Sequence, residues 1–422
     1  MAGFLLVGRA QSTGGLMRGS SGVGVALCVG VLLGGGSAAV AQDTVIVSGR
    51  FLSGVRDPGA DLGPAPVELT WPLAGGGRFA ALGNQVVDLH TGQRHTFSAP
   101  GTIIAVDAVR PRVFFRHTAP HQAGIAEIDL RTGASRTLRV LGADEALSPD
   151  QVRYAADGDR LFLDLSPAVS SPLTPVPHPV AVIDGTSGAL IASFTVSAPS
   201  PVAWLVTPEG DRAYVGGVSG FAPGPLTMVN VATGAQATFA PANRPLFWDE
   251  LNEHLIARGG DGFVLTRDLV PLGQAALPVC VALGTSPHTG RLYVVEALPY
   301  TAQDVTRLTV LDSRTFAGLA GRSWPGLACN VTVLSAPGPP RDLRATVSGH
   351  DVSLDWVNVG AAAGFVLEAG IAPGRTDLRV FLGPESHTAF TSVPSGTYYL
   401  RLRGGNAFGG GRPSVEIRVV VP

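Results

Sequence analysis

One short turn signature recurs along the chain and restricts its folding more than any other feature. It runs Asp88-x-x-Thr91-Gly92, Asp129-x-x-Thr132-Gly133, Asp184-x-x-Ser187-Gly188, Asn230-x-x-Thr233-Gly234 and, in degraded form, Asp312-x-x-Thr315. Successive Asp or Asn positions are 41, 55, 46 and 82 residues apart; the last gap is two periods, with the missing copy placed near Asp268. Each copy sits between two apolar runs, where the Asp or Asn side chain can bond its own backbone and the glycine can take positive φ. A second element lies upstream of each copy, a Gly- or Pro-rich turn leading through Arg or His into an apolar run. Its copies are Arg78-Phe79, Arg112-Val113, Arg160-Leu161, Arg212-Ala213, His254-Leu255 and Arg291-Leu292.

Two interleaved turns every 45 residues or so, with four short strands per period and no helical periodicity, predict an all-β chain built of β-propeller blades. Strands packed on both faces between blades account for unbroken Val, Ala and Leu runs where a solvated sheet would alternate. Thr207-Pro208-Glu209-Gly210-Asp211-Arg212-Ala213-Tyr214-Val215 and Ser286-Pro287-His288-Thr289-Gly290-Arg291-Leu292-Tyr293-Val294 resemble the central motif of YVTN-type propellers. A further inner strand is expected at residues 328–334, with residues 44–47 available to pair beside it and close the ring. Seven blades follow, with six the alternative.

At Pro337-Gly338-Pro339-Pro340 the period changes to alternating strands, which marks residues 337–340 as a linker and 341–422 as a second domain. That segment resembles fibronectin type III. Val352-x-Leu354-x-Trp356 supplies the core tryptophan, and Gly396-Thr397-Tyr398 supplies what the resemblance implies is a corner tyrosine. The alternation turns Tyr398, Leu400 and Leu402 inward and Tyr399, Arg401 and Arg403 outward.

Residues 1–41 read as a cleavable export signal: an apolar run over residues 23–33, then Ala39-Val40-Ala41 before Gln42. Residues 42–336 then form the propeller of an exported protein, secreted, periplasmic or at the cell surface. No run of 18 apolar residues follows, so no membrane span is expected. With 30 basic and 32 acidic residues the chain offers no footprint for nucleic acid, and every basic residue is arginine, which excludes a Walker P-loop or a Schiff-base lysine. Cys280 and Cys329 occupy equivalent places in the opening strands of adjacent repeats, where they form either a disulfide or two buried thiols.

In an antiparallel meander the first and third connections of a blade share one face, and the second connection lies on the other. First and third connections are tight, whereas second connections appear long at residues 116–124, 166–179, 216–225 and 296–306. His117, His121, His178, Phe221, Tyr300 and Asp304 lie there and define the candidate ligand-binding face. His117-x-x-x-His121 is not a metal site, because Pro120 forbids the helix on which that spacing chelates. Asp249, Glu250, Glu253 and His254 occupy a first-connection position and read as a solvated turn. The positions four residues after each turn glycine hold Thr96, Thr137, Ala192 and Thr238, not the tryptophans of quinone-binding propellers. No catalytic residue, metal or cofactor is assigned. The expected function is non-catalytic recognition of an extracellular protein, glycan or envelope component, and the alternative is a lactonase-type hydrolase working in the central channel.

Overall fold

The computed structural model describes residues 24–29, 44–50 and 79–422, apart from 83–84, 89–93, 97–100, 108–109, 120–121, 143–146, 148–150, 167–174, 200–201, 218–223, 260–261, 276–280, 299–304, 326–329, 361 and 407–408. Five four-stranded antiparallel sheets follow one another through residues 101–140, 152–199, 202–239, 242–275 and 281–325, each with its strands in chain order. A three-stranded sheet over residues 79–96 precedes them. A further sheet joins the two ends of this region: Thr44–Arg50 pairs antiparallel with Asn330–Leu334. This pairing is the one expected of residues 44–47. Gly24–Val29, inside the segment with the character of an export signal, pairs on the other side of Thr44–Arg50. The Ala39-Val40-Ala41 site lies outside the described residues.

The upstream Arg or His of each repeat opens the second strand of its sheet: Arg112–Ala119, Arg160–Asp164, Arg212–Gly217, His254–Gly259 and Arg291–Leu298. The Asp turns form as expected. Asp129 Oδ1 accepts from the amides of Arg131 (2.7 Å) and Thr132 (3.0 Å), and Gly133 takes φ 71°. Asp184, Asn230 and Asp312 repeat the pattern. In the degraded copy Phe316 stands where the glycine belongs and carries φ 59°. The missing copy is a tighter turn in which the Thr266 hydroxyl accepts from the Val270 amide and Leu269 takes φ 63°.

The first strands of consecutive sheets, Gly101–Val106, Val152–Ala155, Val202–Val206, Ala242–Asp249, Val281–Ser286 and Asn330–Leu334, pack side by side in that order. Each sheet therefore buries both faces between its neighbours. Leu161, Phe162 and Leu163 are all at most 1% exposed. Leu161 and Leu163 pack with Ile104 and Phe114 of the preceding sheet, and Phe162 packs with Trp204 and Val215 of the following one. Period-2 geometry sends alternate side chains to opposite faces, so a strand enclosed on both must be apolar throughout. Burying one such side chain contributes about 1.5–3 kcal/mol.

Residues 341–422 form two sheets around one separate core. Leu343, Val352, Leu354 and Trp356 from the smaller sheet meet Phe365, Leu367, Leu400, Leu402 and Val419 from the larger. Trp356 packs edge-on against Phe365 at 5.2 Å, and the Tyr398 hydroxyl donates to the Pro394 carbonyl at 2.9 Å. Leu400 and Leu402 are buried, as the alternation requires. The segment 337–340, expected as a linker, is held tightly: Pro337, Gly338 and Pro340 are buried, and Gly338 donates to the Val359 carbonyl at 2.7 Å. Among the described residues no helix is long and apolar enough to cross a membrane.

Candidate functional site: a carboxylate mouth and a buried histidine network

The second connections are shorter than the sequence led us to expect. Pairing runs on through Ala119 and Gln122, and through Leu298 and Val305, so residues 116–119 and 296–298 are strand rather than loop. Apolar and polar residues serve equally well in a hairpin that extends beyond the packed sheet, and composition alone does not mark its end. His117 accordingly sits on a strand, half-buried, its ring lying where a Cβ on Gly124 would be. His121, Phe221, Tyr300 and Asp304 lie outside the described residues.

His178 is the remaining candidate of that face, and it is buried at 2% exposure with Asp164 and Ser166. Ser166 Oγ donates to Asp164 Oδ1 at 2.5 Å. His178 Nδ1 lies 2.9 Å from Ser166 Oγ and 3.0 Å from Asp164 Oδ2, and Nε2 lies 3.2 Å from the Ala198 carbonyl. A serine triad uses its two imidazole nitrogens differently, one toward the serine and one toward the carboxylate. Here both partners crowd one nitrogen, the serine proton goes to the carboxylate, and a backbone carbonyl occupies the other nitrogen. The group is a structural fastener that fixes both ends of the connection over residues 165–174. His178, expected on the open face, is thus held inside this network.

On the opposite face the first-connection turns converge. Asp157 N and Gly158 N both donate to the Pro208 carbonyl, at 3.0 and 3.1 Å. A Cβ on Gly158 would lie 1.9 Å from the Glu209 carbonyl oxygen, so this close approach of two turns requires glycine. Asp157, Glu209 and Glu250 thus come from corresponding turns of three consecutive sheets. The C-terminal module covers them. Asn358 Nδ2 donates to Asp157 Oδ1 at 3.0 Å, Gly360 N donates to Glu250 Oε2 at 2.6 Å, and Arg341 pairs with Glu253 at 3.1 Å. Gly360, at φ 72°, sits against Pro287 of the fourth turn so closely that a Cβ would lie 2.9 Å from its ring.

Burial dominates the electrostatics of this mouth. It pushes Asp157 up to about 7, with the neighbouring Glu209 charge adding to the rise. It pushes Glu250 up to about 8, with Asp157 and Glu209 adding. Glu209 is raised as well, against the pull of Arg267. Arg267 bonds Asp211 and lies 3.5 Å from Glu253 and 3.8 Å from Glu209. Asp249 is 1% exposed and holds Asn252 at 2.8 Å, while the Glu253 side chain of the turn read as solvated is 42% exposed. The sequence could not reveal this, because its cover lies about 110 residues away. A cavity of about 20 Å³, room for roughly one water, is enclosed by Arg110, Asp157, Asn358, Glu385 and Ser386. Among the described residues no group of three or more His, Cys, Asp or Glu is arranged to hold a metal ion.

Cys280 and Cys329 lie outside the described residues, immediately before the strands Val281–Ser286 and Asn330–Leu334, which pack side by side. No family model matches the chain, and no curated protein matches it. Among solved structures, an uncharacterized protein from Listeria monocytogenes EGD-e is similar over 70% of this chain and 95% of its own, at 9% identity and TM-score 0.41. The β-propeller domain of the Trilobed protease from Pyrococcus furiosus is similar over 68% of this chain and 88% of its own, at 12% identity and TM-score 0.39. The FN5 domain of Drosophila Lar matches 20% of this chain with 97% of its own length, at 21% identity and TM-score 0.18.

Proposed function

We propose that the protein is an exported, non-catalytic binding protein: a seven-bladed β-propeller of YVTN type carrying a fibronectin type III module, with its second-connection face open to an extracellular ligand. The observation that carries this reading is the occupation of the other face. Asn358, Gly360 and Arg341 of the module already engage Asp157, Glu250 and Glu253 there. A ligand of any size is left the face on which residues 167–174 and 218–223 connect their strands. The Ala39-Val40-Ala41 site supports export, and the seven consecutive sheets support the blade count. The module acts as a docked cover rather than a free spacer. The test is a binding screen of the full-length mature chain against immobilised glycans, peptides and cell-envelope fractions, repeated after both connections are replaced by short Gly-Ser turns. Loss of binding with unchanged thermal stability is the expected result, and binding that survives both replacements would refute the assignment of the face.

The convergence of Asp157, Glu209 and Glu250 favours one second reading, hydrolysis by carboxylates at the mouth of a central channel. Lactone and aryl-ester substrates test it. Turnover abolished by Asp157→Asn or Glu250→Gln would establish the enzyme and displace the binding reading.

A further inference from the structure

We propose that the docking of the C-terminal module over the first-connection turns is a proton-dependent latch, closed in acid and weakened as the surroundings become alkaline. The geometry is that of an interface built over like charges. Three carboxyls come from three consecutive turns, and a single loop of the module offers two of them, Asp157 and Glu250, one amide side chain and one backbone N–H. Neither donor carries charge. The cations nearby are largely committed elsewhere: Arg110 to Asp107, Tyr154 and the Ala156 carbonyl, Arg267 to Asp211 while lying 3.8 Å from Glu209, and Arg341 to Glu253. The Asn358 Oδ1 atom is buried and accepts no hydrogen bond from protein. A protonated Asp157 carboxyl is a group that could donate to that side chain, after an amide flip.

Every charged group around the cluster can be placed. Asp157 feels Glu209, Arg110 and Asp107, and shares its cavity with Glu385. Glu250 feels Asp157, Glu209 and Asp249. Glu209 feels Arg267, Asp211 and Arg341. The net surroundings of Asp157 and Glu250 are acidic and desolvated, so the docked state holds protons that the undocked, solvated state releases. The sign follows from linkage. Docking is fully favoured below the ordinary carboxylate range, loses strength as pH rises from there, and reaches its weakest level above the raised values of about 7 and about 8. For Asp157 alone, a rise from 3.8 to about 7 corresponds to a docking constant on the order of a hundredfold larger at pH 5 than at pH 9. Glu250 acts in the same direction.

The full chain from residue 42 should be studied by small-angle X-ray scattering from pH 5 to pH 9.5, with near-ultraviolet circular dichroism to verify that both parts stay folded. The expected result is a compact particle in acid and a larger maximum dimension in alkali, with folded signatures throughout. Asp157→Asn with Glu250→Gln keeps the hydrogen-bonding shapes without the charges and should stay compact at pH 9.5. Asn358→Asp adds a fourth carboxyl and should move opening to lower pH. Wild-type dimensions that do not change over this range overturn the latch, as does a double neutral variant that opens along the wild-type curve. If the double variant does not fold, the direction of the Asn358→Asp shift decides the matter.

Discussion

Replacing His178 by leucine separates a structural fastener from a ligand contact. The ring is enclosed, and removing it leaves Asp164, 2% exposed, with Oδ2 unpartnered. Oδ1 keeps the Ser166 hydroxyl at 2.5 Å and the Ser166 amide at 3.0 Å, so the carboxyl is only half stripped. Stripping a buried acceptor of a partner costs about 1–3 kcal/mol, more for a charged group, and the retained donors place this carboxylate near ~3 kcal/mol. A loss of about 3 kcal/mol corresponds to a fall in Tm of roughly 5 °C for a body of about 290 residues, at about 2.1 cal/mol/K of unfolding entropy per residue. Urea unfolding followed by circular dichroism measures it directly. The control is a triple variant, Asp164→Leu, Ser166→Ala and His178→Leu, which removes the buried carboxylate, takes these partners only from the Ser166 amide and the Ala198 carbonyl, and should recover part of the loss. A His178→Leu variant within 1 kcal/mol of wild type, or a triple variant no more stable than the single, would refute the argument.

The Asp129 carboxylate is held below the ordinary range chiefly by the Thr132 amide, then by that of Arg131. Asp129→Ala should therefore cost about 1 kcal/mol at pH 7, with the difference vanishing as pH falls through the depressed value and wild type loses the same contribution. Burial alone would raise Glu368, but Arg401, Arg403 and Arg379 outweigh it and hold the carboxyl low. The C-terminal module should then lose stability on acidification, and Glu368→Gln should flatten that dependence when its unfolding is followed by Trp356 fluorescence. Mass spectrometry of the unreduced mature protein should find Cys280 and Cys329 joined; two free thiols titrating with a thiol reagent in the folded protein would remove the proposed latch between neighbouring strands.

Much of this architecture was legible because its determinants are local. An Asp that caps its own turn, and a glycine at positive φ three or four residues later, announce themselves in any sequence, and Asp129, Asp184 and Asn230 behave as their spacing implies. Unbroken apolar strands such as Leu161-Phe162-Leu163 likewise declare that both faces are covered. The mouth was not legible, since nothing in Asp157, Glu209 or Glu250 marks them as half-buried. Each sits in a turn of ordinary polar composition, and what desolvates them is Asn358 and Gly360, which belong to another part of the chain. The surroundings of His178 were hidden for a related reason. Its partners Asp164 and Ser166 end the preceding strand, and only the register of that hairpin brings the three together.

The sheet that joins Thr44–Arg50 to Asn330–Leu334 bears on the order of events during folding. Its partners are separated by about 280 residues, and closing so long a loop costs on the order of 5 kcal/mol in chain entropy before any hydrogen bond forms. The intervening sheets, each a meander of neighbours in sequence, can assemble first and bring the two ends within reach. Until then Asn330–Leu334 presents an open edge to any extended chain nearby. Thr44–Arg50 is the strand that ends this vulnerability, and trimming it should slow refolding and promote aggregation before it changes the intervening sheets.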